Sequence, residues 1–177
     1  VENKQLIGAW DAGQLIGLVT LSAGIIIIFI RVFRSQDPVS ILICIGSNTD
    51  AENNIQTAQL HLVKAFKVVR YSSVYKSDPV KDGEKATNYL NQVIEIKSTQ
   101  DYPDILEKIK SIEHEFQRQP GNRKQITLDL DIITFNSHVF SHQGRQVPDP
   151  DLIKFRYIAL PLAEMAPEFH HPANGKA

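Results

Sequence analysis

The sequence predicts an α+β domain over residues 39–177, built as a ferredoxin-like sandwich with extra C-terminal elements. Two patterns predict this class. Short apolar or alternating runs have the length and spacing of β-strands, and two longer segments carry apolar residues at helical spacing. Their order along the chain is β-α-β-β-α-β, which is the order of the split βαβ motif. A domain of this length is large enough to bury one core.

The first half of the domain contains three predicted strands and one helix. Residues 41–45 form a continuous apolar run, which predicts a buried strand. A helix is predicted over residues 50–65, where apolar residues share one face and Asp50 can cap the N-terminus. Residues 67–76 are rich in Val and Tyr and favour a strand, and residues 89–97 alternate like a further strand.

The second half contains a helix, a strand and a polar C-terminal region. Apolar residues at helical spacing predict a helix over residues 102–117. A strand is predicted over residues 127–135, a polar hairpin over residues 136–146 and a short helix around residues 161–165. The strand at 127–135 carries the most unusual polar residues of the chain, two aspartates within an apolar run.

The composition excludes two classes of protein. Apolar residues make up 42% of the chain, which excludes disorder as the dominant state. The formal net charge is −1, so the chain lacks the basic excess of a nucleic-acid-binding protein. The single cysteine, Cys44, forms neither an internal disulfide nor a cysteine-based zinc site. A cysteine-poor chain of this kind is typical of the reducing cytoplasm.

Residues 1–38 differ from the domain that follows. Residues 12–30 are 19 consecutive uncharged residues, and at about 1.5 Å per residue such a helix approaches the roughly 30 Å of a bilayer's hydrocarbon core. Arg31 and Arg34 follow, and positive charge on this flank would keep the rest of the chain in the cytoplasm. The sequence therefore predicts an apolar N-terminal helix, with membrane contact only through residues 12–30.

Three interpretations of this segment stay open. It is a single-span membrane anchor, a buried core helix, or an extension foreign to the native gene product. Apolar residues surround the whole predicted helix, which disfavours the core helix. The chain begins at Val1 rather than methionine, which leaves the foreign extension open. If the segment is a membrane anchor or a foreign extension, we expect residues 39–177 to fold without residues 1–38.

Two aspartates alternate with apolar residues in the strand predicted over residues 127–135. Residues i and i+2 of a strand point to the same face, so Asp129 and Asp131 project together. Neighbouring carboxylates raise each other's pKa unless a cation neutralises them. Mg²⁺ is usually bound by one or two carboxylates together with substrate phosphates. The alternative is a solvated carboxylate pair neutralised by Lys or Arg.

Cations and a polar aromatic pair accompany these aspartates. Arg118, Arg123 and Lys124 precede the strand, and cations beside a carboxylate-bound metal suit phosphoryl transfer. A basic loop in solvent is the alternative. The sequence contains no GxxxxGK[ST], which excludes a P-loop enzyme. Tyr89 and Asn91 can stack on a planar heterocycle and hydrogen-bond its edge, or they are a core tyrosine and a strand asparagine.

In chain order, these motifs resemble the 6-hydroxymethyl-7,8-dihydropterin pyrophosphokinase family of folate biosynthesis. The resemblance covers residues 40–172. The matching stretches are IGSN (45–48), SSVY (72–75), NYLN (88–91), IE (112–113), TLDLDI (127–132) and PLAEMAP (161–167). The TLDLD and PLxExAP elements are each fairly specific, and their joint spacing is the strongest part of the resemblance.

The resemblance implies a reaction and a set of residue roles. The reaction is transfer of pyrophosphate from ATP to hydroxymethyldihydropterin, with two Mg²⁺ ions held by Asp129 and Asp131. Further roles follow from motif positions. The positions on the pterin side are Ser77, Val80, Tyr89, Asn91 and Tyr157, and the positions near the nucleotide are Glu113 and Ile132. Arg118 matches an arginine of the catalytic loop. Arg123 and Lys124 are the nearest substitutes for an arginine that is missing.

Three positions depart from the family's pattern. Ile126 replaces the arginine directly before TLDLD, Asp149 replaces a histidine after Pro148, and the arginine expected soon afterwards is displaced to Arg156. The resemblance therefore implies that the metal and pterin sites are kept and that contacts to the triphosphate are weakened. The alternative function is therefore a catalytically weak paralogue that binds pterin or nucleotide as a regulatory module. We expect a monomer that binds no nucleic acid.

Overall fold

A computed structural model of the chain describes residues 37–79, 88–116 and 127–175, together with the backbone of residues 15–21 and 24–30. The chain divides into two units, Val1–Asp37 and Pro38–Ala177. Val80, Arg118, Arg123 and Lys124, to which the sequence assigns roles at the site, lie outside the described residues.

The N-terminal unit contains two strands, so the helix predicted over residues 12–30 is wrong. Strands β1 (Leu15–Leu21) and β2 (Gly24–Ile30) pair antiparallel. The run of four isoleucines at 25–28 explains the difference, because β-branched side chains lose rotamer freedom in a helix and favour strands. No helix in the described part of the chain is long and apolar enough to cross a membrane.

The second unit is organised around an antiparallel five-stranded sheet. Strand β3 (Val39–Ser47) is central and pairs with β6 (Tyr89–Ser98) on one side and β7 (Asp129–Phe135) on the other. Strands β4 (Lys67–Tyr71) and β5 (Tyr75–Ser77) follow each other along the outer edge of β6. The order β4-β6-β3-β7 confirms the predicted α+β class and is compatible with a ferredoxin-like sandwich.

Three helices cover the sheet. Helices α1 (Ala51–Ala65) and α2 (Tyr102–Phe116) pack on one face, and α3 (Arg156–Met165) packs on the other. A hairpin of β8 (Phe140–His142) and β9 (Arg145–Val147) leads from β7 into a 3₁₀ turn at Pro150–Ile153. The strand predicted at 67–76 is split in two, and the final helix begins earlier than predicted.

The alternation of side chains along the strands gives each face its own core. Under α1 and α2 lie the side chains of Ile41, Ile43 and Ile45 from β3, with those of Leu130 and Ile132 from β7. Under α3 the strands contribute instead Leu42, Cys44, Val93 and Ile133. Burial on both faces explains why residues 41–45 form an unbroken apolar run. It also fixes which polar residues of β7 lie on the α3 side of the sheet.

The start of α1 differs in detail from the prediction. Asp50 occupies the N-cap position, but its side chain makes no capping hydrogen bond. Its backbone is left-handed, with φ 43° and ψ 43°, and its carboxylate accepts instead from Asn53 Nδ2 at 3.0 Å. The backbone carbonyl of Asp50 still begins the helical ladder by accepting from the Asn54 N–H at 2.9 Å.

Candidate active site

Three neighbouring strands bring Asn91, Gly46 and Asp129 into one row across the sheet. Gly46 of β3 lies opposite Asn91 of β6 and opposite Asp129 of β7. A Cβ atom on Gly46 would lie 3.4 Å from Asn91 Oδ1 and 3.9 Å from Asp129 Cβ. Both side chains therefore lie on the face to which such a Cβ would point. The absence of a side chain at Gly46 leaves open the space between an amide and a carboxylate.

Asp131 extends this acidic face by one step along β7. It lies opposite Cys44 and, two residues beyond Asp129, on the same side of the strand. Burial raises the pKa of both aspartates. The negative charge of Glu113 raises the pKa of Asp129 further, and that of Asp129 does the same for Asp131. The sequence predicts that the two carboxylates share a face away from the α1–α2 core. This is confirmed, because the alternating residues Leu130 and Ile132 of β7 are the ones buried in that core.

Two cations partly offset the acidic charge. Lys110 Nζ lies 2.6 Å from Glu113 Oε1, and the same oxygen accepts from the Leu130 N–H at 2.7 Å. Arg145 Nη1 lies 3.5 Å from Asp131 Oδ1. Sequence reasoning missed both cations. Lys110 precedes Glu113 by three residues, so helical spacing could have paired them. Arg145 reaches Asp131 only because the β8–β9 hairpin folds back, which no local pattern indicates.

A third aspartate lies beyond the pair. The Asp149 N–H donates to the Ile133 carbonyl at 2.8 Å, and the Asp149 carboxylate accepts from the Asp151 N–H at 2.7 Å. Burial raises the pKa of Asp149, and the charge of Asp131 adds to that effect, outweighing the hydrogen bond from Asp151. The carboxylate that departs from the family's pattern therefore adds negative charge near Asp131.

The donor set fits a hard divalent cation that shares its coordination with substrate oxygens. Asp129 and Asp131 can supply oxygen ligands, and burial, together with the neighbouring carboxylates, raises the pKa of each despite the positive charges of Lys110 and Arg145. Within 37–79, 88–116 and 127–175, no group of three or more His, Cys, Asp or Glu side chains could hold a metal by itself. Mg²⁺ is commonly bound in this way, by two carboxylates and phosphate oxygens.

A pocket of about 490 Å³ opens between β5 and α3. Tyr157 and Leu160 line it from α3, while Lys76 and Ser77 line it from β5. Phe155 also lines the pocket and stacks on Tyr157, with ring centroids 5.4 Å apart and an interplanar angle of 20°. Sequence reasoning missed Phe155, because it precedes the helix and belongs to no periodic stripe, and its aromatic partner Tyr157 lies only two residues away.

The comparisons with known proteins agree with this geometry. Residues 42–167 match the family described as 7,8-dihydro-6-hydroxymethylpterin-pyrophosphokinase. The chain belongs to this family. The resemblance stated from the sequence is thereby confirmed, and members of this pyrophosphokinase family transfer pyrophosphate from ATP to hydroxymethyldihydropterin in folate synthesis.

Two curated relatives carry the name 2-amino-4-hydroxy-6-hydroxymethyldihydropteridine pyrophosphokinase. The protein of Bacillus subtilis is 33% identical over 136 residues, which cover 75% of this chain and 81% of the relative. The protein of Aquifex aeolicus is 31% identical over 137 residues, covering 75% of this chain and 83% of the relative. Both relatives are named for the same transfer reaction.

Solved structures support the fold. A chain of Plasmodium falciparum HPPK-DHPS (the A437G variant with SDX-DHP) superposes with a TM-score of 0.65 at 14% identity. The match covers 81% of this chain but 45% of that chain, so this chain spans less than half of the Plasmodium protein. At this identity the likeness concerns the fold alone.

The structure brings together several of the residues assigned to the pterin pyrophosphokinase site and places the Ile132 side chain apart from them. Asn91 Nδ2 donates to Ser77 Oγ at 2.8 Å, and Tyr89 lies opposite Ser77 in the β5–β6 ladder. Burial raises the pKa of Tyr89, and the negative charge of Asp129 raises it further. In contrast, the Ile132 side chain lies in the core under α1 and α2, on the opposite face of β7 from the aspartates.

We expect Asp131→Asn to raise the melting temperature of the metal-free protein at pH 7 by about 1–3 °C. A group whose pKa is raised on folding stabilises the fold below its unfolded pKa, and that contribution is lost as pH rises through the folded pKa. The amide removes the repulsion that the charged Asp131 meets at neutral pH. Melting curves from pH 7 down to pH 4 check this, since the difference should vanish near the ordinary aspartate pKa of 3.8.

Mg²⁺ provides the control for this prediction. Adding Mg–ATP should stabilise the wild type more than Asp131→Asn, which reverses the order of the two melting temperatures. A variant that is less stable than the wild type at pH 7 without metal would show that the Arg145 contact, rather than repulsion, dominates at Asp131.

Proposed function

We propose that residues 38–177 transfer the β,γ-pyrophosphoryl group of ATP to the hydroxymethyl group of 6-hydroxymethyl-7,8-dihydropterin. One observation carries this proposal. Asn91, Gly46 and Asp129 lie side by side on three strands, with Asp131 next along β7. An amide suited to a heterocycle edge is therefore separated by only one strand, β3, from paired carboxylates suited to Mg–ATP. The two halves of the reaction meet across Gly46.

The pterin is assigned to the side of the row formed by β5 and β6. Asn91 would hydrogen-bond the edge of the ring, with its amide oriented by Ser77 Oγ at 2.8 Å. Tyr89 and Tyr157 would stack on the ring faces. The pocket between β5 and α3, lined by both Ser77 and Tyr157, supports this assignment. Val80 joins this group on its sequence position alone.

ATP is assigned to the β7 side, with two Mg²⁺ ions held by Asp129 and Asp131. When bound, Mg²⁺ neutralises phosphate oxygens and aligns the triphosphate for displacement. Glu113 accepts from the Leu130 N–H and contacts Lys110, and this arrangement fixes the backbone beside Asp129. Glu113 and Ile132 keep their assignment near the nucleotide as predictions, as do Arg118, Arg123 and Lys124 near the phosphates.

The chain contributes positioning and charge rather than covalent chemistry. The pterin hydroxymethyl oxygen bonds to the β-phosphorus, its proton is released, and the bond from that phosphorus to the AMP oxygen breaks. Asn91 and the stacked tyrosines hold the hydroxymethyl group, while the aspartates fix the triphosphate opposite it. Holding two reactants in line contributes a large share of the rate in such transfers. The expectation that the protein is a monomer stays a prediction.

A second candidate function is favoured by Asp149. Its carboxylate adds negative charge near Asp131, on the side assigned to the triphosphate. A chain with this extra charge, and without an arginine at Ile126, could bind pterin or nucleotide yet turn over slowly. Such a protein would act as a regulatory module rather than as an efficient enzyme.

Release of AMP tests the two candidates directly. The protein is incubated with ATP, Mg²⁺ and hydroxymethyldihydropterin, and AMP is measured against a reaction that lacks the pterin. The proposed transferase releases AMP only when the pterin is present. Pterin binding in calorimetry without AMP release favours the regulatory module. ADP as the product would exclude pyrophosphoryl transfer, and absence of both pterin binding and nucleotide binding would exclude both candidates.

The open space at Gly46 leads to a matched pair of substitutions. We expect Gly46→Ala to change pterin affinity less than about twofold, because its Cβ meets its neighbours at ordinary contact distances. Gly46→Leu should weaken pterin binding by about tenfold or more, since the larger side chain fills the space between Asn91 and Asp129. Calorimetry with pterin measures both. Equal affinities for the alanine and leucine variants would show that the substrates do not meet across Gly46.

A further inference from the structure

We propose that Glu164 is a positioning residue that sets the width of the pterin pocket by fastening the β4–β5 connection to α3. This inference rests on the proposed function, because it assigns the pocket between β5 and α3 to the pterin. Glu164 belongs to the PLxExAP motif, to which the metal and pterin assignments give no role. Its side chain is exposed and touches neither Asp129 nor Asp131 in the described hydrogen bonds.

Three hydrogen bonds converge on the Glu164 carboxylate. The Ser73 N–H donates to Oε2 at 2.9 Å, and Ser73 Oγ donates to Oε1 at 2.7 Å. The Tyr75 hydroxyl also hydrogen-bonds to the carboxylate. The bonds from Ser73, followed by that from Tyr75, lower the pKa of Glu164, so the charged form is the one that is held. Hydrogen bonds to an ionised carboxylate are stronger than neutral ones.

The two elements joined by these bonds are the two walls of the pocket. Strand β5 begins at Tyr75 and contributes Lys76 and Ser77, while α3 contributes Tyr157 and Leu160. Tyr157, Leu160 and Glu164 are spaced i, i+3 and i+7, so they follow one stripe of the helix. We call the hydrogen bonds from Ser73 and Tyr75 to Glu164 the clamp. Glu164 is at one end of the helical stripe, and Tyr157, which lines the pocket, is at the other end. Releasing the clamp lets the walls separate.

The fold itself does not depend on this clamp. Ile158, Leu162 and Met165 hold α3 in the core on this side of the sheet. Arg70 holds the end of α3 independently, since Nη1 donates to the Met165 carbonyl at 2.8 Å while Nε contacts Glu95. Glu164 and Ser73 are both exposed, and exposed polar contacts contribute little to overall stability. Loss of Glu164 therefore changes the spacing of the walls and leaves the fold in place.

Calorimetric and kinetic measurements on Glu164→Ala test the inference. We expect the dissociation constant and the KM for hydroxymethyldihydropterin to rise by about three- to tenfold, which corresponds to the loss of one or two hydrogen bonds. The KM for Mg–ATP and kcat at saturating pterin should change by less than about twofold, because neither the metal ligands nor the attacking group is altered. Glu164→Gln, which keeps one acceptor oxygen, should fall between the wild type and the alanine variant.

Two further variants give the matched controls. Glu168→Ala removes the same charge from an exposed glutamate four residues later and should leave pterin affinity unchanged. Ser73→Ala should weaken pterin binding, and combined with Glu164→Ala it should add little, because both substitutions remove the same contact. If Glu168→Ala lowers pterin affinity as much as Glu164→Ala does, the effect is due to net charge alone and the inference is wrong.

The outcomes separate this inference from the proposed function. If the wild type binds pterin and Glu164→Ala binds it equally well, the positioning role is wrong and the proposed function stands. If the variant loses affinity for pterin and Mg–ATP alike, or melts far below the wild type, Glu164 is structural and the inference is again wrong. If the wild type binds no pterin, both the proposed function and the inference fall together.

Discussion

Replacing Asp129 or Asp131 with alanine is expected to abolish Mg²⁺-dependent binding of ATP and to lower turnover by about a thousandfold or more. Each substitution removes one of the two carboxylates that lie together on β7 beside Asn91. Without that oxygen ligand, the metal cannot be held between the protein and the phosphates. Calorimetric titration of ATP, with Mg²⁺ and with the metal chelated, measures the effect.

The fold should survive both substitutions. The aspartates point away from the core under α1 and α2, which Leu128, Leu130 and Ile132 occupy from the other side of β7. The backbone pairing of β7 with β3 does not involve the carboxylates. Circular dichroism spectra should therefore match those of Asp104→Ala, a control at an exposed aspartate of α2, and neither site variant should melt well below this control. Normal Mg–ATP affinity in either site variant would show that the metal site is wrong.

The sequence predicts the local half of the candidate site well, because strand alternation is a local property. Two-residue periodicity places Asp129 and Asp131 on one face and Leu130 on the other, and the burial of Leu130 agrees. The approach of Asn91 to Asp129 has no such local signal. It depends on β3 lying between β6 and β7 with Gly46 in register with both residues, and sheet order is decided by the whole fold.

The errors in the fold arise where hydropathy does not determine secondary structure. Residues 12–30 are apolar enough for a helix, but β-branched residues at 25–28 favour the observed strand β2. The strand predicted over residues 67–76 is interrupted between β4 and β5. There the Ser72 hydroxyl accepts a hydrogen bond from the Val93 N–H at 3.0 Å. That contact spans 21 residues, and composition gives no information about it.

Contacts made by hairpins and turns were the least accessible from the sequence. Arg145 of the β8–β9 hairpin pairs with Asp131 of β7, and Phe155 stacks on Tyr157 where the chain enters α3. Neither Arg145 nor Phe155 belongs to a periodic stripe, and neither lies in a matching motif. Such side chains are positioned by the path of the chain, which depends on turn geometry more than on residue type.

Neutralising Arg123 and Lys124 together, as Arg123→Gln with Lys124→Gln, is expected to lower kcat by about a hundredfold and to change pterin affinity less than twofold. Ile126 leaves the chain without an arginine directly before TLDLD, and Arg123 and Lys124 are the nearest basic residues that precede this motif in the sequence. Negative charge grows on the transferring phosphates during the reaction, and a cation that meets it stabilises the transition state more than the ground state. Steady-state kinetics and pterin calorimetry separate the two effects.

Chain connectivity limits how far these cations can lie from the site. Ser47 Oγ donates to the Thr127 carbonyl at 2.6 Å, which ties the start of β7 to the end of β3 beside Gly46. Lys124 precedes Thr127 by three residues and Arg123 by four, so a short stretch of chain connects both to the start of β7. The matched control is Lys64→Gln with Lys67→Gln, which removes two charges at exposed positions of α1 and β4. Equal losses of kcat in both double variants would show that net charge alone is responsible. Loss of pterin affinity with unchanged kcat would show that Arg123 and Lys124 bind substrate rather than stabilise the transition state.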